Sequence, residues 1–220
     1  YKQMNLNCGG MEFASEMVIR AHLLKMKVEE VATVLRVDGR SGAPNLRPWR
    51  DGLRHLILML SYNPQKTFKM PGMLLAAPSL VAIIVLELGP ARLLGVNFDM
   101  GSLMVLAMLF LLGTQLMLMA HLTHCYSRVN GFLLPDVAQG KTPLKAGTLV
   151  LAGLFVGLIG ALGVILMTVW WATGGFGDTN PQTTMRVLIP AAICLLLGGQ
   201  LFFNGILQNV LEIPLIGRNK

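Results

Sequence analysis

The sequence predicts a mainly α membrane protein: a short α/β stretch, an amphipathic helix at the membrane surface, and four transmembrane helices. Three observations carry this. Hydrophobic residues make up 54% of the 220 and charged residues only 13%, against about 25% charged in a soluble domain, and the mean hydropathy is +0.61. Four apolar stretches, at 71–89, 102–123, 147–170 and 187–209, each come near the ~20 residues that cross a bilayer. The net charge of +7 is concentrated ahead of them, in Lys2, Arg20, Lys25, Lys27, Arg36, Arg40, Arg47, Arg50, Arg54, Lys66 and Lys69. That cluster suits an anionic membrane surface or a phosphate-bearing ligand. It holds few aromatics and leads directly into membrane helices, so nucleic acid is not an expected partner.

The first element is a helix over 11–27. Phe13, Met17, Ala21 and Leu24 recur at helical spacing and form an apolar face. Glu12, Glu16 and Arg20 lie four apart on another face, each Glu ahead of the basic residue, the favoured order for such pairs. Residues 28–37, VEEVATVLRV, alternate and are β-branched, which predicts a strand. The loop DGRSGAP ends it, with Gly39, Gly42 and Pro44 as breakers. In NLRPWRDGLRHLILML, Trp49, Leu53, Leu56 and Leu60 make one helical face and Arg47, Arg50 and Arg54 another. A basic amphipathic helix with Trp on its apolar side belongs in the headgroup layer. The chain thus divides into 1–45, an interfacial helix over 46–70, and a membrane region over 71–220.

Charge bias orients the spans. Loop 124–146 carries Arg128, Lys141 and Lys145 and the tail carries Arg218 and Lys220, while the alternate loops hold little beyond Arg92 and Arg186. Both termini and the middle loop are therefore expected on the cytoplasmic side of the inner membrane. Gly153, Gly157, Gly160 and Gly163 form a small-residue packing face, within the chain or between copies in a homo-oligomer. Trp170 and Trp171 close the third span as interfacial aromatics do.

Chemistry is sparse. Gln200, Asn204, Gln208 and Glu212 fall four apart and stripe the fourth span; interhelical hydrogen bonding is the plainer use of such groups and a path for a lipid phosphate or sugar the other. His121, His124 and Cys125 read as interfacial side chains, because no third ligand at suitable spacing makes a metal site of them. Cys8, Cys125 and Cys194 are too scattered for a disulfide framework. The five aspartates, Asp38, Asp51, Asp99, Asp136 and Asp178, include no pair separated by one residue. RVDGRS at 36–41 has the chemistry of an anion loop: arginine forks and a hydroxyl match phosphate oxygens, and a glycine turn lets backbone N–H groups approach.

These stretches together carry a resemblance. GMEFASEMVIRA at 10–21, EEVATVLRVDGRS at 29–41 and LRPWRDGLRHLILML at 46–60, with Pro71-Gly72 following, resemble the end of the catalytic domain in membrane-bound family 2 glycosyltransferases, above all the polyprenyl-phosphate (dolichol-phosphate-like) sugar transferases. The resemblance implies that 1–45 is the tail end of a GT-A α/β domain. It implies transfer of a sugar, with inversion, from a nucleotide sugar to a polyprenyl phosphate at the cytoplasmic face, in cell-envelope glycan or lipid-linked sugar synthesis. The family's Arg-x-x-Gly-x-Ser turn matches Arg36, Gly39 and Ser41, with Arg36 or Arg40 as the phosphate-binding arginine. Glu16 matches a carboxylate of the preceding helix that would support the site, and Arg47, Trp49, Arg50 and Arg54 would hold the membrane surface. The divalent metal, Mg or Mn, and the nucleotide sugar would be bound by a domain upstream of Tyr1. This chain is therefore expected to be the C-terminal part of a longer enzyme and inactive alone. The competing expectation is a non-enzymatic membrane subunit or a small transporter-like lipid-binding protein.

Overall fold

The computed structural model describes residues 4, 6, 8–10, 12–34, 39, 47–89, 91–93, 96–130, 132 and 144–213. The chain divides into two compact units, one of residues 1–63 with 127–140, the other of 64–126 with 141–220.

In the first unit, α1 (Glu12–Leu23) and α2 (Pro48–Tyr62) are the regular elements among the described residues. α1 stops short of the predicted 27. Lys25 takes a left-handed φ of 52°, the Lys25 N–H donates to the His22 carbonyl, and the Met26 N–H donates to the Ala21 carbonyl. This paired closure satisfies the last free carbonyls of the helix. α2 opens with Pro48 at its first turn, where the missing N–H costs nothing.

The strand predicted over 28–37 is corrected. Residues 28–34 form no strand, and Val28, Val31 and Val34 are exposed, the last at 89%. Alternating β-branched residues make a strand only beside a partner that takes up their N–H and C=O groups, and among the described residues none pairs with this segment. Leu35–Asp38 lie outside the described residues.

In the second unit, four helices are long and apolar enough to cross a membrane. A π-helical turn over Gln65–Lys69 leads into α3 (Met70–Leu88); α4 (Met100–Val129), α5 (Ala146–Thr173) and α6 (Pro181–Leu211) follow. All four predicted spans are present, each with its prediction inside or nearly inside the helix. α4 and α6 extend equally far past their predictions, and the 30 residues of α4 and 31 of α6 each span about 45 Å, so both outrun the hydrocarbon. Pro78 and Pro190 sit inside α3 and α6 without ending them, as membrane helices allow. Between α3 and α4, β1 (Ala91–Leu93) and β2 (Val96–Phe98) pair antiparallel, Arg92 opposite Asn97; nothing in the sequence pattern foretold this hairpin.

Ala76, Ile83, Leu86, Leu103, Ala107, Phe110 and Ile193 form the core where α3, α4 and α6 meet. Leu151, Phe155, Leu158, Leu162 and Leu166 of α5 are exposed. In water this would be a liability; in a bilayer it is the surface that meets lipid tails. The molecule is an integral membrane protein, mainly α.

Backbone contact holds the helices together. A Cβ at Gly113 would lie 2.7 Å from the Gly72 carbonyl, and one at Gly153 would lie 2.7 Å from the Gly198 carbonyl. The Gly153–Gly160 face therefore packs on α6 of the same chain, and dispersion between closely approaching backbones drives the pairing, since tails are as apolar as side chains.

Candidate functional site

In the first unit, α1 and α2 meet through polar side chains. Glu16, fully buried, accepts the Cys8 backbone N–H at 2.7 Å and the Tyr62 hydroxyl at 3.3 Å. Arg20, also buried, donates from Nε to the Tyr62 oxygen at 3.2 Å, and the same nitrogen lies 3.9 Å from Glu16 Oε1. Tyr62 thus stands between a buried carboxylate and a buried guanidinium, groups that are costly to withdraw from water unless paired and hydrogen-bonded. Burial, foremost, pushes the phenol up to about 12, against the lowering effect of Arg20. Ser15 Oγ lies 3.0 Å from His55 Nδ1, and Arg54 pairs with Glu12 at 3.7 Å. The i,i+4 pairing read from the sequence is made by Glu16 and Arg20; Glu12 turns to α2 instead.

The face of α2 that is buried is Asp51, Leu58 and Ser61, with His55 and Tyr62 half-buried beside it. The apolar residues read from the sequence point elsewhere: Trp49 is 93% exposed, and Leu53, Leu56, Ile57 and Met59 are exposed with it. The helix turns its polar face to α1 and leaves its hydrophobic face open. Arg50 and Arg54 are half-exposed on the same helix. Asp51 folds back to accept the Arg47 N–H at 2.8 Å, and this bond, foremost, holds its carboxyl below the ordinary carboxylate value.

The end of α2 is tied on a second side. Ser127 donates to the Ser61 carbonyl at 2.7 Å, and Phe132 meets the Tyr62 ring edge-on with centroids 5.7 Å apart. Sequence reasoning missed Tyr62, His55, Ser15, Ser127 and Phe132. The signal for the first two was available: Asp51, His55, Leu58 and Tyr62 recur at four, three and four on α2, a second helical stripe.

Of the predicted phosphate-binding residues, Arg36, Arg40 and Ser41 lie outside the described residues. Gly39 is exposed, and a Cβ there would meet nothing within 4 Å.

In the second unit, the polar stripe of α6 faces protein. Thr114 donates to Gln200 Oε1 at 3.3 Å, and Gln208, only 1% exposed, lies with its Oε1 3.1 Å from His121 Nε2. The Gln208 amide nitrogen donates to the Leu144 carbonyl and to Glu212 Oε1, each at 3.0 Å. Asn204 donates to the Gln200 carbonyl at 2.7 Å, while its buried Oδ1 has no partner among the described residues. All four stripe residues thus take part in hydrogen bonding; Gln200, Gln208 and Glu212 bond to other side chains and Asn204 to backbone. Cys125 Sγ stands 3.9 Å from His121 Nε2. Among the described residues no three His, Cys, Asp or Glu side chains come together as metal ligands.

Residues 121–212, from the last turns of α4 through α6, match the glycosyltransferase family 2 C-terminal transmembrane region. The chain is similar to the C-terminal part of a membrane family 2 glycosyltransferase. The match falls on the spans, whereas the residues that carried the resemblance in the sequence lie ahead of them. A second similarity covers both. The low-salt glycan biosynthesis hexosyltransferase Agl6 of Haloferax volcanii is 29% identical over 214 residues, 94% of this chain and 49% of that protein. The chain thus spans about half the length of this curated relative. No solved structure matches the chain at a significant level.

Proposed function

We propose that this chain is the membrane-anchored C-terminal part of an enzyme that transfers a hexose, with inversion, from a nucleotide sugar to a polyprenyl phosphate at the cytoplasmic face of the inner membrane, both termini being cytoplasmic. The observation that carries the reading is the similarity to a hexosyltransferase along 94% of the chain. The orientation of α2 supports it. A helix that keeps Trp49 and Leu53 exposed beside Arg50 and Arg54 fits the headgroup layer, where a lipid phosphate would arrive.

In this reading an acceptor phosphate oxygen bonds to the anomeric carbon as the bond from that carbon to the nucleoside diphosphate breaks, the diphosphate leaving with the electron pair. The acceptor is already ionised, so what the site must supply is positive charge to bring two phosphates together. Arg36 and Arg40, with Gly39 and Ser41, would supply it, and Glu16 would support them from α1. Arg47, Trp49, Arg50 and Arg54 would seat this part on the membrane surface. The nucleotide sugar and a divalent metal, Mg or Mn, would be held by residues outside this chain.

The test is transfer of labelled hexose from nucleotide sugars to polyprenyl phosphate by the native full-length gene product in membranes. Arg36→Ala is expected to lower turnover by ~10²-fold, the scale of removing one charge-stabilising donor, with the protein still folded. Wild-type rates in that variant sink the phosphate assignment, and no transfer by the wild type sinks the function.

A further inference from the structure

Among the described residues of the first unit, Tyr62 joins α1, α2 and Phe132. It ends α2, its hydroxyl lies between Glu16 and Arg20 of α1, and its ring packs on Phe132. The other side-chain ties between α1 and α2 are of a weaker kind. Arg54–Glu12 is a half-exposed ion pair, and such pairs contribute little; Ser15 and His55 are half-buried. Among the described side-chain ties between α1 and α2, those of Tyr62 are made to the buried Glu16 and Arg20, where a lost hydrogen bond costs more than at the surface. Ser127, bonded to the Ser61 carbonyl, holds the same end of α2 on its other side, so the hydroxyl acts on a fixed base.

We propose that Tyr62 is a positioning residue for the transfer reaction: its hydroxyl sets how α1 seats on the membrane-surface helix α2, and thereby how the donor-bearing half meets an acceptor held in the bilayer. This rests on the function proposed above. A residue in this role acts on the meeting of two substrates, not on donor binding. Tyr62→Phe keeps the ring contact with Phe132 and removes only the hydroxyl.

The experiment uses the native full-length gene product in lipid vesicles. It measures KM for the nucleotide sugar and for membrane-embedded polyprenyl phosphate, together with amide exchange over 12–23. Tyr62→Phe is expected to speed exchange in α1 by about 10-fold or more and to raise KM for the embedded acceptor severalfold, with KM for the nucleotide sugar within about twofold. Glu16→Gln is expected to reproduce the exchange result from the other side of the bond. Faster exchange with both KM values unchanged reduces Tyr62 to a structural contact and overturns the proposal, as does unchanged exchange. Equal effects on both substrates overturn it too. Lack of transfer by the wild type instead removes the proposed function and this role with it, so the two failures are told apart.

Discussion

Gln208 presents its amide oxygen to His121 across the α4–α6 interface at 3.1 Å, while its amide nitrogen spends both hydrogens on the Leu144 carbonyl and Glu212. Those two acceptors decide which way the amide faces, so the group between Gln208 and His121 must be an N–H on the ring. The arrangement calls for the Nε2–H tautomer of His121. Nitrogen-15 NMR of histidine-labelled protein is expected to show Nε2 protonated; a neutral ring protonated only on Nδ1 contradicts the arrangement. Gln208→Leu strips partners from three groups at once. Intramembrane hydrogen bonds are individually modest, but the summed loss is expected to reach ~1–2 kcal/mol, read as a lower melting temperature in detergent.

Two glycines three residues apart on α5 are expected to behave oppositely. A Cβ at Gly160 collides with the Leu195 amide nitrogen and lies 2.7 Å from the Ala191 carbonyl, backbone atoms that cannot swing aside. Gly160→Ala should cost ~1–3 kcal/mol or more through forced separation of α5 and α6. A Cβ at Gly157 meets nothing nearer than 3.8 Å. Gly157→Ala should be neutral, or stabilising by up to ~1 kcal/mol because alanine favours helix. Unfolding titrations of both variants check the contrast, and equal destabilisation would refute close packing at Gly160 as its cause.

Acid should loosen the start of α2. The Arg47 N–H holds the Asp51 carboxyl below its ordinary 3.8, so the folded state prefers the ionised form. The stabilisation is full above 3.8 and is lost as pH falls through the lowered folded value. Asp51→Asn should be less stable than wild type near neutral pH, with the gap closing in acid. Fluorescence of Trp49 during thermal unfolding, with Trp170 and Trp171 replaced by Phe, reports this directly. A gap that persists at the lowest pH assigns the effect to geometry and not to charge.

Cys8 should be a sluggish nucleophile. Burial, then the charge of Glu16, pushes its thiol up to about 11. Fewer thiolates at pH 8, partly offset by their greater intrinsic reactivity, give alkylation by iodoacetamide roughly 10-fold slower than a free cysteine. Removing the charge with Glu16→Gln should speed labelling of the Cys8 peptide, followed by mass spectrometry. Labelling as fast as free cysteine would place the thiol away from Glu16.

Part of the α1–α2 junction was readable, and what was missed there has a common cause. Glu16 and Arg20 announce themselves by spacing, because a helical i,i+4 pair is a local relation. Tyr62 does not, since its partners lie 46 and 42 residues away and a single tyrosine at a helix end has many ordinary uses. Over 28–34 the expected strand failed because pairing is not written in the strand that needs it. On α2 the amphipathic pattern was legible, yet the rule that apolar faces turn inward would have buried Trp49 against α1.

The sequence alone determined that this is a membrane protein with four spans, their approximate limits, and a basic amphipathic helix ahead of them. Length, hydropathy and helical period are local properties, and a bilayer acts on them without regard to what else the chain does. Only the tertiary structure decided which glycines carry the packing, that Gly153 and Gly160 meet α6 of the same chain, that the α6 stripe turns to His121 and Thr114, and that Tyr62 closes the junction of α1 and α2. Each is a choice of partner between segments distant in the chain. Such choices depend on shape and on satisfying buried polar groups at the point of contact, which residue spacing does not encode.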